Sequence, residues 1–273
     1  MTLLKSTRSI SILKCMETHC EEIEDVVAHE LGLRILLTDS MGEESFALVH
    51  TLPTEFDSLI IGLLFTSRLI SSPGDVVQIR TRSQLAKVRL SDESAFRDKL
   101  NSIRATARIV MGICGPEEGA LGTWRACDVP AIETSMKISP SIIRQAIQNL
   151  NNEMVLYRQT GGTHGAALVD TEGNVIKLAE DVGRHSAIDR VIGKALLDNM
   201  NLSNLILVCS GRLTGDLVLK AAVARIPLIA SISAGVFSGI ELADAAGVTL
   251  IGFVRGARMN VYTHPSRLVF SSV

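Results

Sequence analysis

The chain has 273 residues, and Lys+Arg 27 against Asp+Glu 29 leaves a formal net charge of −2. That balance excludes an electrostatic nucleic-acid binder, and an aromatic content of 4% leaves little material for stacking single-stranded bases. With 47% hydrophobic residues but one Trp, the core has to be built from Ile, Leu, Val and Ala, over a length suited to one large α/β domain or two modest ones.

The N-terminus lacks the apolar run and small-residue cleavage site of a signal peptide. The longest apolar stretch, 59–65, falls far below the roughly 20 residues that cross a bilayer, so a cytoplasmic protein is expected, with no membrane partner. The five cysteines, Cys15, Cys20, Cys114, Cys127 and Cys209, are odd in number and irregular in spacing, a pattern of reduced thiols rather than a disulfide framework.

Residues 33–38 read as a strand, and 53–70 as a helix with Pro53 in its first turn. The turn Pro73-Gly74-Asp75 leads into a strand pair at 76–80 and 85–90, then a short helix over 92–100 and a strand over 103–110. Residues 111–130 hold Gly112, Gly115, Gly119 and Gly122 and show no periodicity; a loop of this size in a compact domain is usually functional or disordered. Ser139-Pro140 opens a helix to about Leu150. Segments 166–170 and 175–178 form a hairpin around Glu172-Gly173-Asn174, and 184–198 has helical amphipathicity. Aliphatic strands at 205–209, 227–231 and 248–254 then alternate with helices at 214–225 and 236–246, which predicts a parallel sheet covered on both faces. The expected organisation is a mixed α+β region over 1–110, a mobile Cys-containing loop over 111–130, and an α/β domain over 131–273.

Ligands of open α/β sheets bind beyond the carboxyl ends of the strands, where helix N-termini offer free N–H groups. Polar or glycine-rich clusters fall at such places: Thr160-Gly161-Gly162-Thr163-His164-Gly165, Glu180-Asp181-Val182-Gly183-Arg184-His185, Ser210-Gly211-Arg212, Ile232-Ser233-Ala234-Gly235 and Gly252-Phe253-Val254-Arg255-Gly256-Ala257-Arg258. Glycine lets the backbone approach a ligand and arginine gives permanent planar donors, so the set points to an anionic, phosphate-bearing ligand. Taken alone, Asp181 reads as an N-cap and Arg184 as the partner of a nearby acid.

Cys209 ends an aliphatic strand and reads as a buried hydrophobe. Cys15 and Cys20, with His19 between them, form a single C-x4-C without the second pair a metal site needs. Cys114, beside Gly115, is the candidate reactive thiol, and Cys127 the candidate second thiol of the same loop. No P-C-x-x-C, H-E-x-x-H, P-loop or G-x-G-x-x-G occurs, so no zinc or other metal site is expected, and the ligand site is not a common nucleotide fingerprint.

The blocks TGGTHGAAL at 160–168, EDVGRHSAID at 180–189, SGR at 210–212, GFVR at 252–255 and NVYT at 260–263 resemble the formate dehydrogenase accessory (FdhD/NarQ) family, from about Glu30 to Arg267. The resemblance implies a sulfur carrier. Such a protein accepts sulfur from a cysteine desulfurase as a cysteine persulfide and passes it to the molybdenum (or tungsten) bis(molybdopterin guanine dinucleotide) cofactor before that enters the formate dehydrogenase apoprotein. It also implies a three-layer α/β/α sheet resembling the cytidine deaminase fold but without zinc, a smaller mixed α+β N-terminal region, and a homodimer. The expected cofactor contacts are Phe253, Val254, Arg255, Gly256, Ala257 and Arg258, with Arg212, His164 and Arg184.

One departure bears on the chemistry. The family loop usually reads C-G-x-C-G, whereas this chain has Met111-Gly112-Ile113-Cys114-Gly115. Cys114 then carries the persulfide alone, or Cys127 assists it, or transfer has been lost and the chain is a cofactor-binding chaperone. Asp216 also stands where Glu is expected, and Gly235-Val236 where the family tends to Pro-Thr.

Overall fold

The structure, a computed structural model, describes residues 6–92, 97–98 and 129–270. The strand expected at 103–110, nearly all of the helix at 92–100, and Cys114, Cys127 and Trp124 of the glycine-rich loop lie outside the described residues.

Strands β1 (Thr7–Cys15) and β2 (Cys20–Ala28) form a two-stranded antiparallel sheet in which Cys15 faces Cys20. Ile10 and Ile12 share a face, but both strands are largely exposed, and so short an alternation did not mark them as strands. Contrary to the reduced-thiol expectation, Cys15 and Cys20 are joined in a disulfide, because the register places them directly opposite each other.

Strands β3 (Leu31–Asp39), β4 (Gly42–Thr51), β5 (Val76–Arg82) and β6 (Leu85–Leu90) form a second sheet, ordered β4-β3-β6-β5. Leu33, Ile35, Leu37, Ala86 and Val88 line one face and pack on Leu59, Ile60 and Leu64 of α1 (Phe56–Thr66). The helix starts later than expected. Glu55 adopts a left-handed conformation (φ 46°) that turns the chain just before Phe56, so Pro53 precedes the helix rather than opening it.

The third sheet contains β7 (His164–Val169), β8 (Val175–Asp181), β9 (Ile206–Cys209), β10 (Leu228–Ser231), β11 (Thr249–Arg255) and β12 (Arg258–Val261), in the order β12-β11-β10-β9-β7-β8. It is mixed rather than parallel throughout. β9, β10 and β11 are parallel, while β7, β8 and β12 each run antiparallel to a neighbour. The connections explain this: β7–β8 and β11–β12 are joined by turns at Gly173 (φ 89°) and Gly256 (φ 55°), too short for a crossover.

Helices cover both faces. Ile143, Ile147 and Leu150 of α2 (Pro140–Glu153) pack on Ala167, Val208, Ala230, Ile251 and Val254. α2 starts as the sequence predicts, with Ser139 Oγ accepting from Ser141 N at 3.3 Å. The short α3 (Val155–Thr160) follows α2. On the other face α4 (Arg184–Leu197), α5 (Gly215–Val223) and α6 (Phe237–Ala245) bring Ile188, Val191, Val218 and Leu242 against Ala166, Leu168, Leu207, Ile229 and Leu250.

The second and third sheets are joined through α1 and α4. A Cβ on Gly62 would lie 1.7 Å from the Asp189 carbonyl oxygen, and one on Gly193 would lie 1.8 Å from that of Ser58, so only glycines allow this helix crossing. Beside it, Asp189 accepts from Thr66 Oγ1 at 2.7 Å and from Lys220 Nζ at 2.8 Å. At the other end Arg190, with no exposed surface, donates to Asp181 (2.5 Å), Thr51 Oγ1 (2.7 Å) and the carbonyls of Thr54 and Glu55, while Thr51 Oγ1 donates to Asp181 at 2.6 Å. Asp181 is therefore the counterion of a buried arginine and not an N-cap; Gly183 occupies that position.

The substitution R190M leaves the Asp181 carboxylate buried without its cation, and stability falls by about 3–5 kcal/mol. Adding Asp181→Asn recovers part of the loss, because the unpaired charge is gone. Urea unfolding midpoints of the two single variants and the double variant read this directly; an R190M midpoint equal to wild type contradicts the assignment.

Candidate functional site

Register alone brings two of the sequence blocks together. His164 pairs with Asp181 and Gly165 with Glu180 across β7 and β8, so TGGTH and EDVGRH lie side by side. Glu180 accepts from the backbone N–H groups of Leu156 (2.9 Å) and Tyr157 (2.7 Å) at the start of α3, and from Thr163 Oγ1 at 2.9 Å. Gly161 (φ 64°) ends α3 in the left-handed conformation. These contacts aim the chain so that the next residue, His164, enters the site.

There His164 Nδ1 lies 3.0 Å from Ser210 Oγ, and the same hydroxyl oxygen accepts from the Gly165 N–H at 3.1 Å. Burial first, and then the positive charges of Arg184 and His185, push the His164 imidazole below its ordinary value of 6.5. It is therefore neutral at pH 7, a hydrogen-bonding group rather than another cation beside Arg184. Arg184 lies across the backbone of Gly211, where a Cβ would meet its side chain at 2.9 Å. Its Nε is buried and has no hydrogen-bond partner among the described residues, none of which is an acid paired with Arg184 as the sequence suggested.

His185 Nε2 is hydrogen-bonded to Asp216 Oδ2, and the Thr214 hydroxyl donates to Asp216 Oδ1. Burial by itself would raise the Asp216 carboxyl, but the His185 contact, the Thr214 hydroxyl and the Leu217 N–H outweigh it and hold the group well below 3.8. Asp216, at the first turn of α5, thus fixes the His185 ring at the edge of the site.

The remaining loops connect through a chain of short hydrogen bonds. Ser231 Oγ donates to the Gly211 carbonyl at 2.6 Å, Ser233 Oγ to that of Ser210 at 2.9 Å, and Phe253 N to that of Ser233 at 2.8 Å. Gly235 packs on the Tyr262 ring, and Val236 leaves the start of α6 without a side-chain cap. Phe253 takes a left-handed conformation (φ 52°) at the irregularity between Gly252 and Arg255. Its ring lies 5.7 Å from the Arg255 guanidinium and 5.6 Å from that of Arg258, while Arg255 Nε donates to the Ile232 carbonyl at 2.9 Å. Two exposed cations are thus held against one aromatic ring.

Gly256 and Ala257 form the exposed turn, whereas Val254 sends its side chain into the α2 core. Arg212 is exposed just beyond Gly211. On the α2 side, Arg144, Gln148 and Asn151 face Ile232, Val254, Arg255 and Gly256 across an open cleft of about 330 Å³. Sequence reasoning missed these three helical residues, although their i, i+4, i+7 spacing marks one polar stripe of α2.

The pH dependence follows from Asp216. Its carboxyl is held below the value of 3.8 it has when unfolded, so it adds stability that is fully present above that pH and lost as the pH falls below it. Asp216→Asn lowers the thermal midpoint at neutral pH, and the gap to wild type narrows progressively as the pH is brought down from about 4 toward 2. A gap that stays constant down to that pH contradicts the assignment.

Three comparisons place the chain among known proteins. Residues 30–269 match the FdhD/NarQ family. The chain is 34% identical over 263 residues to the sulfur carrier protein FdhD of Sulfolobus acidocaldarius, covering 96% of this chain and 98% of that protein. It is 33% identical over 250 residues to the protein of that name from Wolinella succinogenes, covering 90% of this chain and 84% of the relative. The fold matches a crystal structure assigned as a formate dehydrogenase accessory protein from Desulfotalea psychrophila, with a TM-score of 0.74 and 24% identity over 97% of this chain and 100% of the other. By the extent of the family match and the identity of these relatives, the chain belongs to the FdhD/NarQ family.

Proposed function

We propose that this chain is a sulfur carrier required for formate dehydrogenase activity. The observation that carries the proposal is the convergence of the TGGTH, EDVGRH, SGR and GFVR segments on one hydrogen-bonded strand-end site, in a chain whose relatives are named sulfur carriers. The sulfur travels as a persulfide. The Cys114 thiolate attacks the terminal sulfur of a cysteine desulfurase persulfide, the desulfurase thiolate leaves, and Cys127 is the second thiol of the same loop.

The acceptor is the bis(molybdopterin guanine dinucleotide) form of the molybdenum cofactor. Its pyrophosphates and guanines need cations, N–H groups and a flat apolar surface, which Arg255 and Arg258 on Phe253, with Gly256 and Ala257 in the turn, supply. His164, Arg184 and Arg212 face the same ligand from the neighbouring loops. The neutral His164 accepts or donates a hydrogen bond without adding charge, and Arg184 brings a buried N–H that has no partner among the described residues. The domain division at 111–130, the likeness of the third sheet to the cytidine deaminase fold without its zinc, the homodimer, the cytoplasmic location and docking on the formate dehydrogenase apoprotein belong to this proposal. Among the described residues no helix is long and apolar enough to cross a membrane.

Met111 favours a second reading, in which the chain binds and delivers the cofactor as a chaperone without transferring sulfur. The two separate cleanly. After incubation with a cysteine desulfurase and cysteine, the intact chain gains the mass of one sulfur atom, mapped to Cys114 or Cys127, and Cys114→Ala abolishes formate dehydrogenase maturation in a deletion strain. No adduct on either residue, together with full maturation by Cys114→Ala, overturns the carrier and leaves the chaperone.

A further inference from the structure

Three cysteines lie among the described residues, and their environments differ sharply. Cys209 is 2% exposed at the end of β9, and burial pushes its thiol up to about 11, so it is inert. Cys15 and Cys20 are both exposed, at the tip of the β1–β2 hairpin. They close a loop of four residues that is closed already: Met16 N donates to the His19 carbonyl at 2.8 Å, and the ladder continues from Lys14↔Glu21 back to Thr7↔Ala28. A crosslink across so short a loop removes less entropy from the unfolded chain than one that closes a long loop. Among the described residues no core residue packs against it, since the three hydrophobic clusters contain no residue of β1 or β2. The disulfide is therefore not a staple of the fold. What its position provides is access: two sulfur atoms at bonding distance, on an arm, open to another molecule.

We propose that Cys15 and Cys20 form a second sulfur site, a dithiol that reduces persulfides and releases hydrosulfide; the choice of substrate class rests on the sulfur-carrier reading above. In the reduced pair, one thiolate attacks the terminal sulfur of a persulfide R–S–SH, and R–S⁻ leaves with the proton of the spent thiol. The second thiolate then attacks the carbon-bound sulfur of the new cysteine persulfide. The S–S bond to the terminal sulfur breaks, hydrosulfide leaves, and the Cys15–Cys20 disulfide forms. The two thiols lose two electrons and the terminal sulfur gains them, so one pass needs no other oxidant. The disulfide found in the structure is the product state of that pass, and a dithiol reductant resets it. Register supplies the geometry, because two residues directly opposite at the end of a ladder need no rearrangement to reach each other.

The test uses the full-length chain, reduced with dithiothreitol, freed of reductant without air, and mixed with glutathione persulfide. The expected result is a burst of about one hydrosulfide per chain, with the peptide spanning Cys15 and Cys20 recovered as a disulfide, two hydrogens lighter. Cys15→Ser gives no burst and instead retains one extra sulfur on Cys20; circular dichroism checks that the hairpin variant is folded. Recovery of both thiols free after the persulfide is consumed overturns the proposal, as does an undiminished burst from Cys15→Ser. Adducts are read peptide by peptide. A persulfide on Cys114 or Cys127 reports on the carrier reading, and the state of Cys15 and Cys20 reports on this one.

Discussion

The fold depends on a charge that water does not reach. Arg190 has no exposed surface, and a bare guanidinium there would be prohibitively unstable. It is tolerated because Asp181, Thr51 and the carbonyls of Thr54 and Glu55 together satisfy its donors. Those partners come from three separate places: the end of β8, the end of β4 and the turn before α1. One side chain therefore fixes how the N-terminal sheet, its helix and the C-terminal sheet meet. The Gly62–Gly193 contact beside it sets the distance, since neither helix backbone can accept a Cβ at the crossing.

The site follows from that anchorage. Asp181 ends β8 and Arg190 lies inside α4, so the pair pins both ends of the short segment containing Gly183, Arg184 and His185. Glu180, one residue earlier, holds the start of α3 and the Thr163 hydroxyl, and so directs His164. From Ser210 the hydrogen bonds pass through Ser233 to Phe253, which presents Arg255 and Arg258. A chain whose net charge is only −2 thereby gathers cations at the strand ends, next to an imidazole that stays neutral. This is the arrangement an anionic ligand with flat bases requires, and the near-zero total charge conceals it.

The aliphatic strands β9, β10 and β11 and the helices between them were legible because continuous burial leaves a continuous apolar run. The antiparallel edges were less legible. β12 is four residues of mixed character whose pairing is dictated by the Gly256 turn, and β4 carries two buried residues, Ala47 and Thr51, within an otherwise irregular pattern. The hairpin bearing Cys15 and Cys20 was invisible to periodicity because both of its faces are largely exposed. At the site, motif spelling located His164, Arg184 and Phe253, but not their roles. Asp181 and Arg190 are nine residues apart in sequence, and only their burial shows them to be a structural pair while Arg184 is left facing the site.

The most direct test of the account is whether a guanine diphosphate group binds at the strand ends. Guanosine diphosphate is titrated into the full-length chain by calorimetry, and amide hydrogen exchange is compared with and without it. The account predicts saturable, salt-sensitive binding that slows exchange at 253–258 and around His164, and that is lost when Arg255 and Arg258 are both replaced by Ala. Absence of saturable heat, or protection confined to segments away from these loops, contradicts it.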